Sequence, residues 1–129
     1  METPGDRRYT REHEWARLED DGRVTIGVTW YAQDQLGDVV YVELPEEGRE
    51  IAIDDPFGVV ESVKTVSDLF APISGEVVAT NDALEEVPEV INKDPYENGW
   101  LVVLRPTEPR QFEGLLSAVE YDEHTAKED

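Results

Sequence analysis

The chain has 129 residues, of which 31 are acidic and 11 are Lys or Arg, so its formal net charge is −20. This length fits one domain with a modest core, and the charge argues against nucleic acid and anionic membranes as partners, because both are bound through Lys and Arg. The absence of Cys excludes disulfides, thiolate nucleophiles and Cys-based metal sites.

The acidic charge is interpreted as a solvated surface, and adaptation to high salt is the alternative, since the chain has only three Lys. Residues 1–8 lack the apolar stretch of a signal peptide and are predicted to be flexible. No apolar run approaches the roughly 20 residues that cross a bilayer. These features predict a cytoplasmic protein.

The first predicted elements are a hairpin and a short helix. The β-rich runs 15–18 and 24–28 flank an Asp-Gly pair, which is typical of a hairpin turn. Thr29 can cap a helix that Gly37 ends, because glycine readily takes the left-handed conformation.

The middle of the chain predicts two strands that meet at Lys64. The first covers residues 57–63 and the second residues 65–71, ending before Pro72, which cannot donate to a strand ladder. Further strands are predicted at 38–44, 76–80 and 100–104.

The last third predicts loops followed by a helix. Residues 81–98 are polar and broken by proline, so a loop with one or two helical turns is expected. Helical spacing of apolar residues predicts a C-terminal amphipathic helix through Phe112, Leu115, Leu116 and Val119. Residues 122–129 are predicted to be an acidic tail, which leaves 9–121 as the domain. Many short strands with turn signals predict a mainly β sandwich or barrel.

Catalytic chemistry has little support in the sequence. His13 and His124 are the only histidines, and no phosphate-binding loop or nucleophilic Ser motif is present. A metal site would need more ligands than this pattern offers. We therefore predict no catalytic residues and no metal site.

Lys64 has two interpretations on pattern alone. A Lys between two strands with no Gly, Pro or Asn at the junction can be an exposed residue at a hairpin tip. It can equally be a solvated charge that protects a strand from aggregation.

A set of motifs resolves this ambiguity. They are YTREHEW (9–15), LGDVVYVELP (36–45), ESVKTVSD (61–68), PISGEV (72–77) and INKDPY (91–96) with Gly99-Trp100. In this order and spacing the chain resembles the glycine cleavage H-protein family from Tyr9 to Tyr121. It departs from the family at Trp30, where an Asp usually follows Thr29.

The resemblance implies a lipoyl-domain barrel-sandwich hybrid of two small antiparallel sheets, with Lys64 on a hairpin turn carrying lipoate in amide linkage. It also implies recognition by the lipoylating enzyme through Glu61, Gly75 and Gly48. The loaded arm would rest in a cleft lined by Glu12, Glu14 and Asp68. The protein would then be a cofactor-bearing carrier subunit and not an enzyme.

The implied partners are the enzymes that the arm visits. They are a pyridoxal-phosphate glycine decarboxylase (P protein), a tetrahydrofolate-dependent aminomethyltransferase (T protein), a flavin dihydrolipoyl dehydrogenase (L protein), and a lipoate ligase or a lipoyl or octanoyl transferase. A biotin carrier is disfavoured, because Val63 and Thr65 stand where such carriers have Met. A 2-oxoacid dehydrogenase lipoyl domain generally lacks the 9–15 motif and the C-terminal helix. A lipoate-relay protein stays open as a second role.

Overall fold

The computed structural model describes residues 2–128, and it is mainly β with short helices. Its strands are β1 (Arg8–Tyr9), β2 (Glu14–Leu18), β3 (Val24–Val28), β4 (Val39–Glu43), β5 (Glu50–Ile51), β6 (Pro56–Ser62), β7 (Val66–Phe70), β8 (Gly75–Thr80) and β9 (Val102–Pro106). Its helices are α1 (Trp30–Leu36), α2 (Ala83–Glu86), α3 (Val90–Lys93), α4 (Arg110–Glu113) and α5 (Ala118–Glu128).

The strands form two antiparallel sheets. The larger sheet has the spatial order β1-β2-β3-β9-β8-β5, and the smaller has the order β4-β6-β7. The two sheets do not join into a closed barrel. The predicted mainly β fold of two antiparallel sheets with short helices is confirmed, and β7 is an edge strand of the smaller sheet.

The main core contains residues from both sheets. Its fully buried members include Ile26 and Leu104 of the larger sheet and Val60 of the smaller one. A second, aromatic cluster joins Tyr9, Trp15, Tyr96 and Tyr121. Burying side chains of this size contributes roughly 1.5–3 kcal/mol each, so these clusters account for much of the stability.

The turns and caps predicted around the first helix are confirmed. The β2–β3 hairpin has Gly22 in the left-handed region, at φ +89°. The Thr29 side chain accepts a hydrogen bond from the Ala32 amide, and the Gly37 amide donates to Gln33 O. Trp30 therefore follows an ordinary N-cap despite its departure from the family pattern.

The prediction of one helix through Phe112, Leu115, Leu116 and Val119 is wrong. The chain leaves the helix after α4, because Leu116 pairs with Tyr9 through two backbone hydrogen bonds of 2.8 and 2.9 Å. A new helix, α5, then begins with a capping box. The Ser117 amide donates to Glu120 Oε1, and the Glu120 amide donates to Ser117 Oγ.

Both chain ends pack more closely than the sequence indicates. Helix α5 continues through the expected acidic tail as far as Glu128, while Asp129 lies outside the described residues. Arg7, inside the segment expected to be flexible, is buried with its guanidinium 4.7 Å from the centre of a Trp15 ring. No helix among residues 2–128 is long and apolar enough to cross a membrane.

Candidate functional site

Lys64 lies at the tip of the β6–β7 hairpin. Glu61 pairs with Val66, and the Ser62 amide donates to Thr65 O at 2.8 Å to close a four-residue turn. The Ser62 hydroxyl accepts from the amides of Lys64 and Thr65 at 3.3 and 3.2 Å. The Ser62 side chain thus supplies the turn hydrogen bonds at a junction that has neither Gly nor Pro.

Neighbouring segments fix the position of this tip. The Val63 amide donates to Asp38 O at 3.0 Å, just before β4. Asn92 holds the same segment, because its side chain accepts from the Val39 amide at 2.9 Å and donates to Gly37 O at 2.8 Å. The roles of Ser62 and Asn92 are not predicted from the sequence, because they depend on contacts between segments that are distant along the chain or on a turn that lacks Gly and Pro.

The Lys64 side chain is exposed to solvent. It forms no ion pair with any residue in the described range 2–128. Its stem passes over Gly37, where a Cβ would lie 3.4 Å from Lys64 Cε. Val63 and Val66 beside it are 70% and 62% exposed. An amine presented in this way is accessible to an enzyme that forms an amide on Nζ.

A cleft of about 270 Å³ lies beside the hairpin, between the start of β2, helix α1 and the edge strand β7. Thr65, next to Lys64 in the chain, contributes to its lining. The structure brings the three acids predicted for a resting cleft to this one site, although they come from distant parts of the chain. The lining includes Glu12, His13, Glu14, Gln35, Leu36 and Asp68.

The three acids differ in their surroundings. Glu12 and Asp68 are exposed, whereas Glu14 is only 2% exposed. The Thr10 hydroxyl donates to Glu14 Oε1 at 2.7 Å, and the Phe70 amide donates to Oε2 at 3.3 Å. Burial outweighs these hydrogen bonds and raises the pKa of Glu14 to about 8. Glu14 is therefore largely protonated at neutral pH when no cation is near.

The three residues expected to guide lipoylation differ in exposure and in backbone environment. Glu61 is exposed on β6, three residues before Lys64. Gly48 takes φ +91° in a turn, donates to Val77 O at 2.7 Å and lines a separate groove of about 770 Å³. Gly75 is buried, and a Cβ there would lie 2.6 Å from Arg105 O. Glycine is therefore favoured at position 48 by the positive φ and at position 75 by the lack of space for a Cβ.

Gly75→Ala is expected to lower the free energy of unfolding by about 1–3 kcal/mol, because a Cβ must displace the backbone of β9. Urea unfolding would measure the loss. Gly5→Ala is the matched control, since a Cβ at Gly5 meets nothing within 4 Å. Equal stability of the two variants would contradict the close approach of β8 and β9.

Comparison with known proteins agrees with this architecture. The family described as "Glycine cleavage H-protein" matches residues 7–128. A glycine cleavage system H protein of Oceanobacillus iheyensis is 55% identical over 122 residues, which cover 95% of this chain and 96% of the relative. Another from a Psychrobacter species is 58% identical and covers 92% of this chain and 94% of the relative.

A solved structure shows the same fold. The crystal structure of a glycine cleavage system H protein from Mycobacterium marinum superposes with a TM-score of 0.88 at 44% identity, covering 95% of this chain and 98% of that one. The agreement in sequence spans both sheets, the Lys64 hairpin and the C-terminal helix. The chain belongs to the glycine cleavage H-protein family.

Proposed function

We propose that this chain acts as the lipoyl-carrying H protein of the glycine cleavage system, with lipoate attached to Lys64 Nζ. The observation that carries this proposal is the exposed Lys64 side chain at the tip of the β6–β7 hairpin, which forms no ion pair within residues 2–128. When bound, lipoate supplies a disulfide that can take up the aminomethyl group of glycine and pass it on. The protein is a carrier subunit and not a catalytic enzyme.

The reach of the lipoyl arm depends on its length and on the fixed position of the hairpin that carries it. A lysine side chain extended by a lipoyl chain has about eleven bonds beyond Cα, so its reach is on the order of 14 Å. Ser62 and Asn92 hold the base of the arm in place. A fixed base with a flexible end lets the tip enter a partner's active site while the carrier stays outside.

The partners we propose are the glycine decarboxylase, the aminomethyltransferase, the dihydrolipoyl dehydrogenase and a lipoylating enzyme, all acting in the cytoplasm. Among the three recognition candidates, Glu61 offers an exposed side chain that the lipoylating enzyme can contact. Gly75 on β8 and Gly48 in the turn before β5 would contribute through the local backbone conformation that glycine allows.

Peptide mass mapping tests the attachment site directly. After expression with a lipoylating enzyme and lipoate, we expect one lipoyl group on Lys64 and none on Lys93 or Lys127. Modification of another lysine, or biotin on Lys64, would contradict the proposal. The same measurement separates this carrier from the biotin class.

We further propose that the cleft acids shield the aminomethyl cargo. Its amine is cationic near neutral pH, so carboxylates in the cleft favour it through charge-assisted hydrogen bonds. Glu14 must first lose its proton, because its pKa is raised to about 8. That step costs about 1.4 kcal/mol at pH 7 and reduces the net contribution of Glu14. Asp68 is exposed and its contribution is screened by solvent.

The double variant Glu14→Gln with Asp68→Asn is expected to lose its cargo to water up to about tenfold faster than wild type. The rate of ammonia release from the isolated carrier measures this loss. About 0.5 M salt should narrow the difference, because the Asp68 side of the cleft is open to solvent. Glu43→Gln, at an exposed position of β4, is the control. Equal rates for the double variant and the control at low salt would show that the cleft acids do not hold the cargo.

A further inference from the structure

Two histidines and a carboxylate meet where the β1–β2 turn contacts the last turn of α5. His13 Nε2 lies 3.0 Å from Glu128 Oε2, and His124 Nε2 lies 2.8 Å from Glu128 Oε1. The ligand atoms of all three residues lie within 4.8 Å of one another. We propose that His13, His124 and Glu128 form a binding site for a divalent transition-metal ion of the Zn²⁺ class.

The donor set suits such an ion. Imidazole nitrogen and carboxylate oxygen are common zinc ligands, and three protein ligands leave a fourth position for water or an added ligand. Tetrahedral coordination with bonds of about 2.0–2.1 Å places ligand atoms roughly 3.4 Å apart. The most separated pair must therefore approach by at most about 1.4 Å, which small side-chain rotations of three partly exposed residues can provide.

A hydrogen-bond relay orients His13 for this role. Its Nδ1 lies 2.7 Å from the Tyr121 hydroxyl, which lies 2.7 Å from Thr29 Oγ1. A tyrosine hydroxyl can accept from Nδ1–H while it donates to Thr29, which fixes the orientation of the ring. Without a metal, Nε2 contacts the Glu128 carboxylate and carries a proton, and a bound metal would replace that proton.

The surroundings of the site are consistent with a cation. The groups facing it are the Arg11 carbonyl, 3.2 Å from His124 Nε2, and the aromatic ring of Tyr31, 4.6 Å from the His13 ring. The nearby Glu12 carboxylate and the net charge of −20 also attract a positive ion. His13 takes φ +71°, an uncommon conformation for a residue with a side chain. This conformation belongs to the turn that places His13 beside α5.

A bound ion would tie the two ends of the chain together. His13 follows β1, and His124 and Glu128 lie on α5, so the metal would fasten this helix to the turn that also carries Glu12 and Glu14 of the cleft. This inference concerns a separate group from Lys64 and is independent of the proposed carrier function. Its test uses unlipoylated full-length protein, so that lipoyl thiols cannot bind the metal.

Zn²⁺ titration by calorimetry, in about 0.5 M KCl to suppress weak binding by surface acids, should show saturable binding of a single ion per chain. His124→Ala and Glu128→Gln should each weaken this binding by about tenfold or more. Glu123→Gln is the matched control, because it removes one exposed charge from the same helix. Its affinity should equal that of wild type.

A second measurement needs no variant. Zn²⁺ should shift the imidazole NMR signals of both His13 and His124 at a stoichiometric amount, whereas Mg²⁺ at the same concentration should not. Unchanged imidazole signals, the absence of saturable binding, or equal Zn²⁺ affinity in the two ligand variants and the control would each overturn the proposal.

Discussion

Replacing Lys64 with Arg is expected to abolish carrier activity while leaving the fold intact. Arg keeps the positive charge, but its guanidinium stays protonated and cannot take an acyl group as the Lys amine does. Lys64 is exposed and forms no ion pair within residues 2–128, so the free energy of unfolding should change by less than about 0.5 kcal/mol. Glycine–bicarbonate exchange in the reconstituted system should fall to background.

Lys93→Arg provides the matched control. Lys93 is also exposed, and it lies in the last turn of α3. This variant should be lipoylated and active like wild type. Activity retained by Lys64→Arg would show that the attachment point is not Lys64, and equal loss in both variants would show that the loss is not specific to Lys64. Urea unfolding of both variants separates a loss of attachment from a loss of structure.

In the Lys64 hairpin, sequence patterns predict the strands but not the position of the turn. The strands on either side are predicted nearly to their ends, because Pro72 follows the second one and both contain valines, which favour strands. The position of Lys64 at the tip is not decided by pattern, because its turn depends on the Ser62 side chain in place of a glycine. The family motifs supply that position, and the structure supplies its physical reason.

In the C-terminal region, the helical spacing of apolar residues predicts the wrong structure. Apolar residues at 112, 115, 116 and 119 have helical spacing, yet Leu116 pairs with Tyr9 instead of continuing a helix. A tertiary backbone pairing thus overrides a local period. The Ser117–Glu120 capping box then begins α5. The docking of α5 through Tyr121, stacked on Tyr9 at 4.8 Å, depends on residues near opposite ends of the chain.

The cleft was partly predictable. The resemblance implies a resting cleft at Glu12, Glu14 and Asp68, and the structure places these three residues in the lining of one cleft, whose role stays a prediction. Nothing in the sequence distinguishes buried Glu14 from its exposed neighbour Glu12. The distinction arises because Glu14 begins β2 and faces the edge of β7, where Phe70 donates to it. Protonation of Glu14 near neutral pH is therefore a property of the folded state.

The raised pKa of Glu14 predicts how the free energy of unfolding depends on pH. The pKa of Glu14 is raised from 4.5 to about 8 by burial, so the folded state keeps its proton between these pH values while the unfolded state loses it. The folded state then binds more protons, and the free energy of unfolding falls as pH rises through this window. Below pH 4.5 both states are protonated and the effect is absent, and above pH 8 both are ionised and the loss is complete.

Comparison with Glu14→Gln isolates this contribution. Gln can accept from the Phe70 amide and donate to the Thr10 hydroxyl, so it can keep both hydrogen bonds without a titrating group. Relative to this variant, wild-type protein should lose about 3–5 kcal/mol of unfolding free energy between pH 4.5 and 8. Urea unfolding at a series of pH values gives the two curves, and other titrating groups cancel in their difference.

Glu12→Gln, an exposed neighbour, should follow the wild-type curve. Parallel curves for wild type and Glu14→Gln would mean that Glu14 ionises normally in the folded protein, and the cleft would then hold a permanent carboxylate at neutral pH.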